Sequence, residues 1–167
     1  MPKMAKSFDD LDNGPSVKLK QDEIDYKRFI IDCYPFWSCP YEPGLGSKTG
    51  YPDLQLMEDR SKQLLPVELK VGVLKNGRIF PREVRPSQVT WHYEFAKAGG
   101  RACLLTGTKL SGRWVGYAVP GFWAEHWRLG YPIADCFFMD SANPVRDLCE
   151  IVDVFLNPEA HRRLPSE

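Results

Sequence analysis

Residues 64–72 read LLPVELKVG, an apolar run of strand length with Glu68 and Lys70 two positions apart inside it. Strand side chains alternate between faces, so the two charges share one face while Val67, Leu69 and Val71 share the other. An unpaired charge in an apolar interior costs several kcal/mol, so a chain does not bury one without a partner. A fold built on this segment either leaves the charged face in water as a surface ion pair or gives it a polar site of its own. Both readings are open from the segment alone, and the neighbouring segments bear on the choice.

Composition sets the frame for those neighbours. With 167 residues, 43% hydrophobic and 13% aromatic, the chain has the make-up of one globular core. A flexible lead-in over 1–18 and a single domain over 19–167 with a C-terminal helical segment are the expected organisation. Lys+Arg and Asp+Glu both number 22, which weighs against a general electrostatic nucleic-acid binder but leaves room for a locally basic groove. The five cysteines form no CxxC pair and are expected as reduced, mostly buried thiols. Cys33 and Cys39 with a distant histidine match no zinc-finger spacing. No run of spanning length and no signal-peptide core is present, so a soluble, cytoplasmic protein with no membrane partner is expected.

Periodicity and punctuation give the element order. A first helix is expected from Gln21 to Tyr34, stopped by Pro35. A Pro-, Gly- and aromatic-rich loop follows, and then DLQLMED and LLPVELKVG form a hairpin. Asn76-Gly77 in VLKNGRIFP signals a turn that either extends the sheet or makes a small excursion. RPSQVTWHYEFAKAGG reads as a helix capped by Ser87 and stopped by Gly99-Gly100. Two more strands, RACLLTGTKL and RWVGYAVP, precede helical segments in GFWAEHWRLG and NPVRDLCEIVDVFLNPEAHRRL. The sum is an α/β layer fold with a central mixed sheet flanked by helices.

Across the expected hairpin from Glu68 lies GYPDLQL, which brings Asp53 beside Glu68 and Lys70. Two carboxylates and an ammonium at one sheet edge make a site for a hard divalent cation, which lowers the pKa of a bound water and stabilises charge on a phosphate under attack. Pro52-Asp53 followed fifteen positions later by Glu68-Leu69-Lys70 resembles the signature of the PD-(D/E)XK nuclease superfamily. RPSQVTWHYEFAKAGGRACLLTG is similar to the continuation seen in its VRR-NUC branch and in phage and archaeal Holliday junction resolvases. The matching positions are Gln88, Trp91, Gly99 with Gly100, and Cys103 to Thr106, and the resemblance spans roughly residues 20–120.

The resemblance implies a restriction-endonuclease-like core and a metal-dependent DNA endonuclease directed to branched structures in repair or recombination. Asp53, Glu68 and the Leu69 backbone carbonyl would bind Mg²⁺, with Mn²⁺ able to substitute. Lys70 would position the attacking water, and Gln88 would bond near that water or the scissile phosphate, unless its amide only caps a neighbouring backbone group. A further acid from the first helix would be Glu23, with Asp22 and Asp25 as competitors. Lys75, Arg78, Arg82 and Arg85, in a basic link longer than a compact VRR-NUC domain has, form either a DNA phosphate-contacting rim or a solvated hairpin. The alternative function is an inactive DNA- or protein-binding module of the same fold. Junction resolution needs two active sites and would imply a homodimer.

Several features are set aside. GLGSKTG lacks the Gly-Lys-Ser/Thr order and the following helix of a nucleotide-binding loop, although Lys48 there can approach a DNA backbone. Tyr34, Phe36, Trp37 and Tyr41 close the core or stack on an unpaired base. His92, His126 and His161 have no partners at recognisable spacing and are read as structural or exposed. Trp123 and Trp127 are read as one packed helix face.

Overall fold

A computed structural model describes residues 15–40 and 50–156. The lead-in over 1–14, Tyr41, Lys48, most of the glycine-rich loop and His161 lie outside the described residues. Helix α1 (Pro15–Cys33) leads into strands β1 (Ser38–Pro40), β2 (Leu54–Met57), β3 (Leu64–Lys75) and β4 (Arg78–Pro81). Helix α2 (Pro86–Lys97), the long strands β5 (Cys103–Leu110) and β6 (Arg113–Pro120), and a 3₁₀ helix over Gly121–Leu129 come next. Short strands β7 (Tyr131–Pro132) and β8 (Phe137–Met139) and helix α3 (Pro144–Leu156) complete the described chain. Among the described residues no helix is long and apolar enough to cross a membrane.

The fold is α/β, with one mixed sheet in the order β1-β2-β3-β5-β6-β8 and β4 paired to β3 and β7. β3 is its centre. It runs antiparallel to β2 and to β4, and parallel to β5 through α2 as the crossover. Leu65, Val67, Leu69 and Val71 pack on one face with Tyr26 and Ile30 of α1 and Leu148, Ile151 and Phe155 of α3. Each such side chain removed from water stabilises the fold by ~1.5–3 kcal/mol. The other face carries Leu104, Tyr117 and Val119 under Trp123 and Trp127 of the 3₁₀ helix. Glu68 and Lys70 point to this second side, under α2.

The elements differ from expectation in several places. α1 starts at Pro15 rather than near Gln21. β3 runs on to Lys75, and Asn76-Gly77, both at positive φ, turn it into β4. The loop after Pro35 holds β1, which adds a strand to β2. Helix α2 is capped at Arg85, with Pro86 in its first turn; Pro fixes φ for a helix start and its missing N–H costs nothing there, so Ser87 falls inside the helix. Residues 121–129 form a 3₁₀ helix that buries both tryptophans. Of the five free cysteines only Cys103 is buried, while Cys39 is exposed and the rest are half-buried. Tyr34 is a core residue bonded to the Met57 carbonyl at 2.7 Å, whereas Phe36 and Trp37 are exposed.

Candidate active site

The edge of β3 that carries β2 is interrupted. β2 covers it as far as the Leu54–Val67 pair, and β4 takes over from Gly72 onward. Val71 belongs to the β4 side, its carbonyl accepting from the Arg82 N–H at 2.9 Å. Between these stretches lies a notch at Glu68–Lys70, and its one exposed backbone donor, the Leu69 N–H, is taken by Asp53 Oδ2 at 3.0 Å. Extending the β2–β3 register by two residues sets Pro52 opposite Leu69. Proline has no N–H to donate, so the Leu69 carbonyl, which points to the same edge as the Leu69 N–H, has no strand partner from Pro52. The Pro-Asp pair therefore opens the ladder at this point and fills half of the opening with a carboxylate.

Glu68 sits behind the notch with 0% exposure and Lys70 with 6%. One carboxylate oxygen, Oε1, accepts from Lys70 Nζ at 2.9 Å and from the Gln88 side-chain amide. The second, Oε2, is buried and has no hydrogen-bond partner. Burial first, and then the neighbouring Asp53 carboxylate, pushes Glu68 up to about 8 against the opposing pull of Lys70. The pair is thus no surface ion pair but a buried polar site with one oxygen unclaimed.

Gln88 is oriented from both ends. Its Oε1 accepts the Arg85 N–H at 3.0 Å, which satisfies an orphan donor at the start of α2 and leaves the NH₂ group to donate to Glu68. It caps a backbone group and positions Glu68 at once.

Glu23 of α1 is half-buried and faces the same centre. Its carboxyl is raised by burial, then lowered by Lys70, raised by Glu83 and Asp53 and lowered by Arg85, so all four charges lie within its field. Asp22 instead reaches Lys109 at 3.4 Å, and Asp25 bonds Gln21 on the same helix, which leaves Glu23 as the first-helix acid at the site. Glu83, exposed and at φ 52 in the turn after β4, adds a negative charge that raises Glu23, and no motif marks it in the sequence.

The expected basic rim divides. Arg82 and Arg85 are exposed beside the notch. Lys75 and Arg78 close the far end of the β3–β4 hairpin, about 23 Å from Glu68 at ~3.3 Å per residue. Arg78 is spent internally, donating to the Gly130 carbonyl at 2.8 Å.

His92, one turn after Gln88 on α2, is fully buried, with both ring nitrogens unpartnered and its ring against Trp91 and Trp127. Burial, and then the nearby Lys70 ammonium, holds it down at about 3, a neutral imidazole. His126 is exposed.

Asp53, Glu68 and the Leu69 carbonyl supply hard oxygen donors of the type a divalent cation takes, and the unclaimed Glu68 Oε2 fits that use. Among the described residues no three His, Cys, Asp or Glu side chains are gathered closely enough to hold a metal by themselves, so backbone and water would complete the shell. Comparison with protein-family models, with curated proteins and with solved structures returned no match.

Proposed function

We propose that this chain is a metal-dependent DNA endonuclease with a restriction-endonuclease-like core, acting on branched or otherwise irregular DNA. The observation that carries the reading is the buried Glu68, joined by Lys70 and Gln88 at a gap in the sheet that Asp53 enters. A structural ion pair needs no interrupted ladder. Nor does it need a carboxylate oxygen left without a partner.

Asp53, Glu68 and the Leu69 carbonyl would hold Mg²⁺ or Mn²⁺. When bound, the ion supplies a water of lowered pKa and charge stabilisation for the phosphate. Lys70, whose Nζ lies 2.9 Å from Glu68 Oε1, would orient the attacking water. Gln88 fixes the Glu68 plane, and Arg82 and Arg85 attract the DNA backbone to a chain that is neutral as a whole.

The test is cleavage of labelled duplex, single-stranded, flap and four-way-junction DNA with Mg²⁺, Mn²⁺ or EDTA. Metal-dependent cutting that is lost in Glu68→Ala and Lys70→Ala is expected, and undiminished turnover in Lys70→Ala would overturn the assignment. A second reading, a DNA- or protein-binding module of the same fold, is favoured by the lack of a three-ligand cluster among the described residues. DNA binding without cleavage and without divalent-cation affinity would select it.

A further inference from the structure

We infer that Lys70 is a built-in stand-in for the cation, holding Glu68 until a divalent ion displaces it. The inference rests on the metal-dependent reading above and concerns how that site is loaded.

The Lys70 ammonium lies 2.9 Å from Glu68 Oε1, on the carboxylate that the ion would need. Lys70 and Glu68 are two apart on β3, so their side chains leave the same face and the lysine stem folds back along the strand. Both are buried, where water screens little, and a buried carboxylate needs a positive partner when no ion is present. A divalent ion between Asp53 and Glu68 would stand within a few ångströms of that ammonium, and like charges at such a distance repel strongly in a shielded site. Lys70 and the ion therefore compete for one carboxylate. Once turned from Glu68 the ammonium is free to hold the attacking water. The same contact that guards the empty site thus becomes the water-positioning group of the loaded one.

The test is calorimetric titration of Mg²⁺ into the wild-type chain and into Lys70→Met, which keeps the length of the stem without its charge, repeated at rising pH and compared where neither affinity changes further with pH, since loss of the ammonium holds the proton on Glu68 more tightly. Mg²⁺ binding tightened about tenfold or more in the variant, together with loss of DNA cleavage, is the expected result. Equal or weaker affinity in a variant that melts cooperatively would overturn the inference. If Lys70→Met does not fold, the wild-type chain with ¹⁵N-labelled lysine gives the answer. A slowly exchanging Lys70 ammonium signal should be present without the ion and disappear at saturating Mg²⁺; its persistence at saturation would overturn the inference too. Failure of the wild type to bind Mg²⁺ at all would instead remove the metal-dependent reading, so the two failures are separable.

Discussion

Gln88 serves two groups at once: the Arg85 N–H at the helix start and the buried Glu68 oxygen that it shares with Lys70. Its replacement by leucine leaves both short of a bond in a site where Gln88 is only 7% exposed. An unsatisfied buried group costs ~1–3 kcal/mol, so Gln88→Leu should lower stability by about that amount, measured by urea unfolding. Cleavage should fall further than stability, because the Glu68 plane is no longer fixed. Gln88→Glu separates the roles: it retains an acceptor for Arg85 but sets a like charge against Glu68. It should therefore lose more stability than Gln88→Leu as pH rises from about 7 to about 9 and Glu68 ionises, and a smaller loss would show that the cap outweighs the carboxylate contact.

The elements are held to this geometry by close packing. Gly50, just before the Pro-Asp pair, has φ +91, and a Cβ there would lie 2.2 Å from the Ser87 carbonyl oxygen at the start of α2. Gly50→Ala should destabilise the fold by about 2 kcal/mol or more, read from thermal melts, since the left-handed conformation alone costs ~1–2 kcal/mol. It should also reduce cleavage in the fraction still folded, because β2 and α2 carry Asp53 and Gln88 to the same notch. The hairpins were legible because the code for them is local: Asn76-Gly77 and Ser111-Gly112 both take positive φ between apolar runs. The convergence of Asp53, Glu68 and Lys70 was legible because the strand period puts Glu68 and Lys70 on one face and the charged turn over 58–63 pairs β2 back on β3 beside them. Residues 121–139 were not, since their short 3₁₀ and strand pieces exist only against β4, α2 and the sheet. The backbone cap made by Gln88 was one of its two legible roles, whereas its bond to Glu68 was not, because that depends on the cap falling at Arg85. Glu83 and the burial of His92 depend wholly on tertiary placement.

For the whole molecule, the site makes stability depend on pH from two sides. His92 is held at about 3 in the fold against an ordinary 6.5, so between those values the unfolded chain binds a proton that the fold does not. Its contribution is present above 6.5 and is lost as pH falls. Glu58, lowered to about 2 by the Ser61 and Arg60 N–H groups, acts in the same direction below 4.5. Glu68 acts in the opposite direction: raised to about 8 from 4.5, it makes the fold hold a proton that the unfolded chain has released. Stability from that source is complete below 4.5 and declines as pH rises through 8. Above 6.5 the histidine contribution is flat and Glu68 supplies most of the slope, with a smaller share toward pH 8.5 from Cys33, Cys103, Cys136 and Cys149, whose thiols burial raises. The cation-free chain should then lose ~1–2 kcal/mol between about pH 6.5 and 8.5, at a limit of ~1.4 kcal/mol per pH unit for one proton. Denaturant midpoints across that range should show the fall in the wild type and little of it in Glu68→Gln, whereas His92→Phe should keep the alkaline fall and lose part of the acid one. An undiminished alkaline fall in Glu68→Gln would locate its source elsewhere. On the proposed metal-dependent reading Mg²⁺ would bind the ionised carboxylate, so its addition should raise the midpoint more at the alkaline end than at pH 6.5, where the proton competes with it. The buried glutamate that costs the fold stability at high pH is thus the group through which a bound ion would restore it.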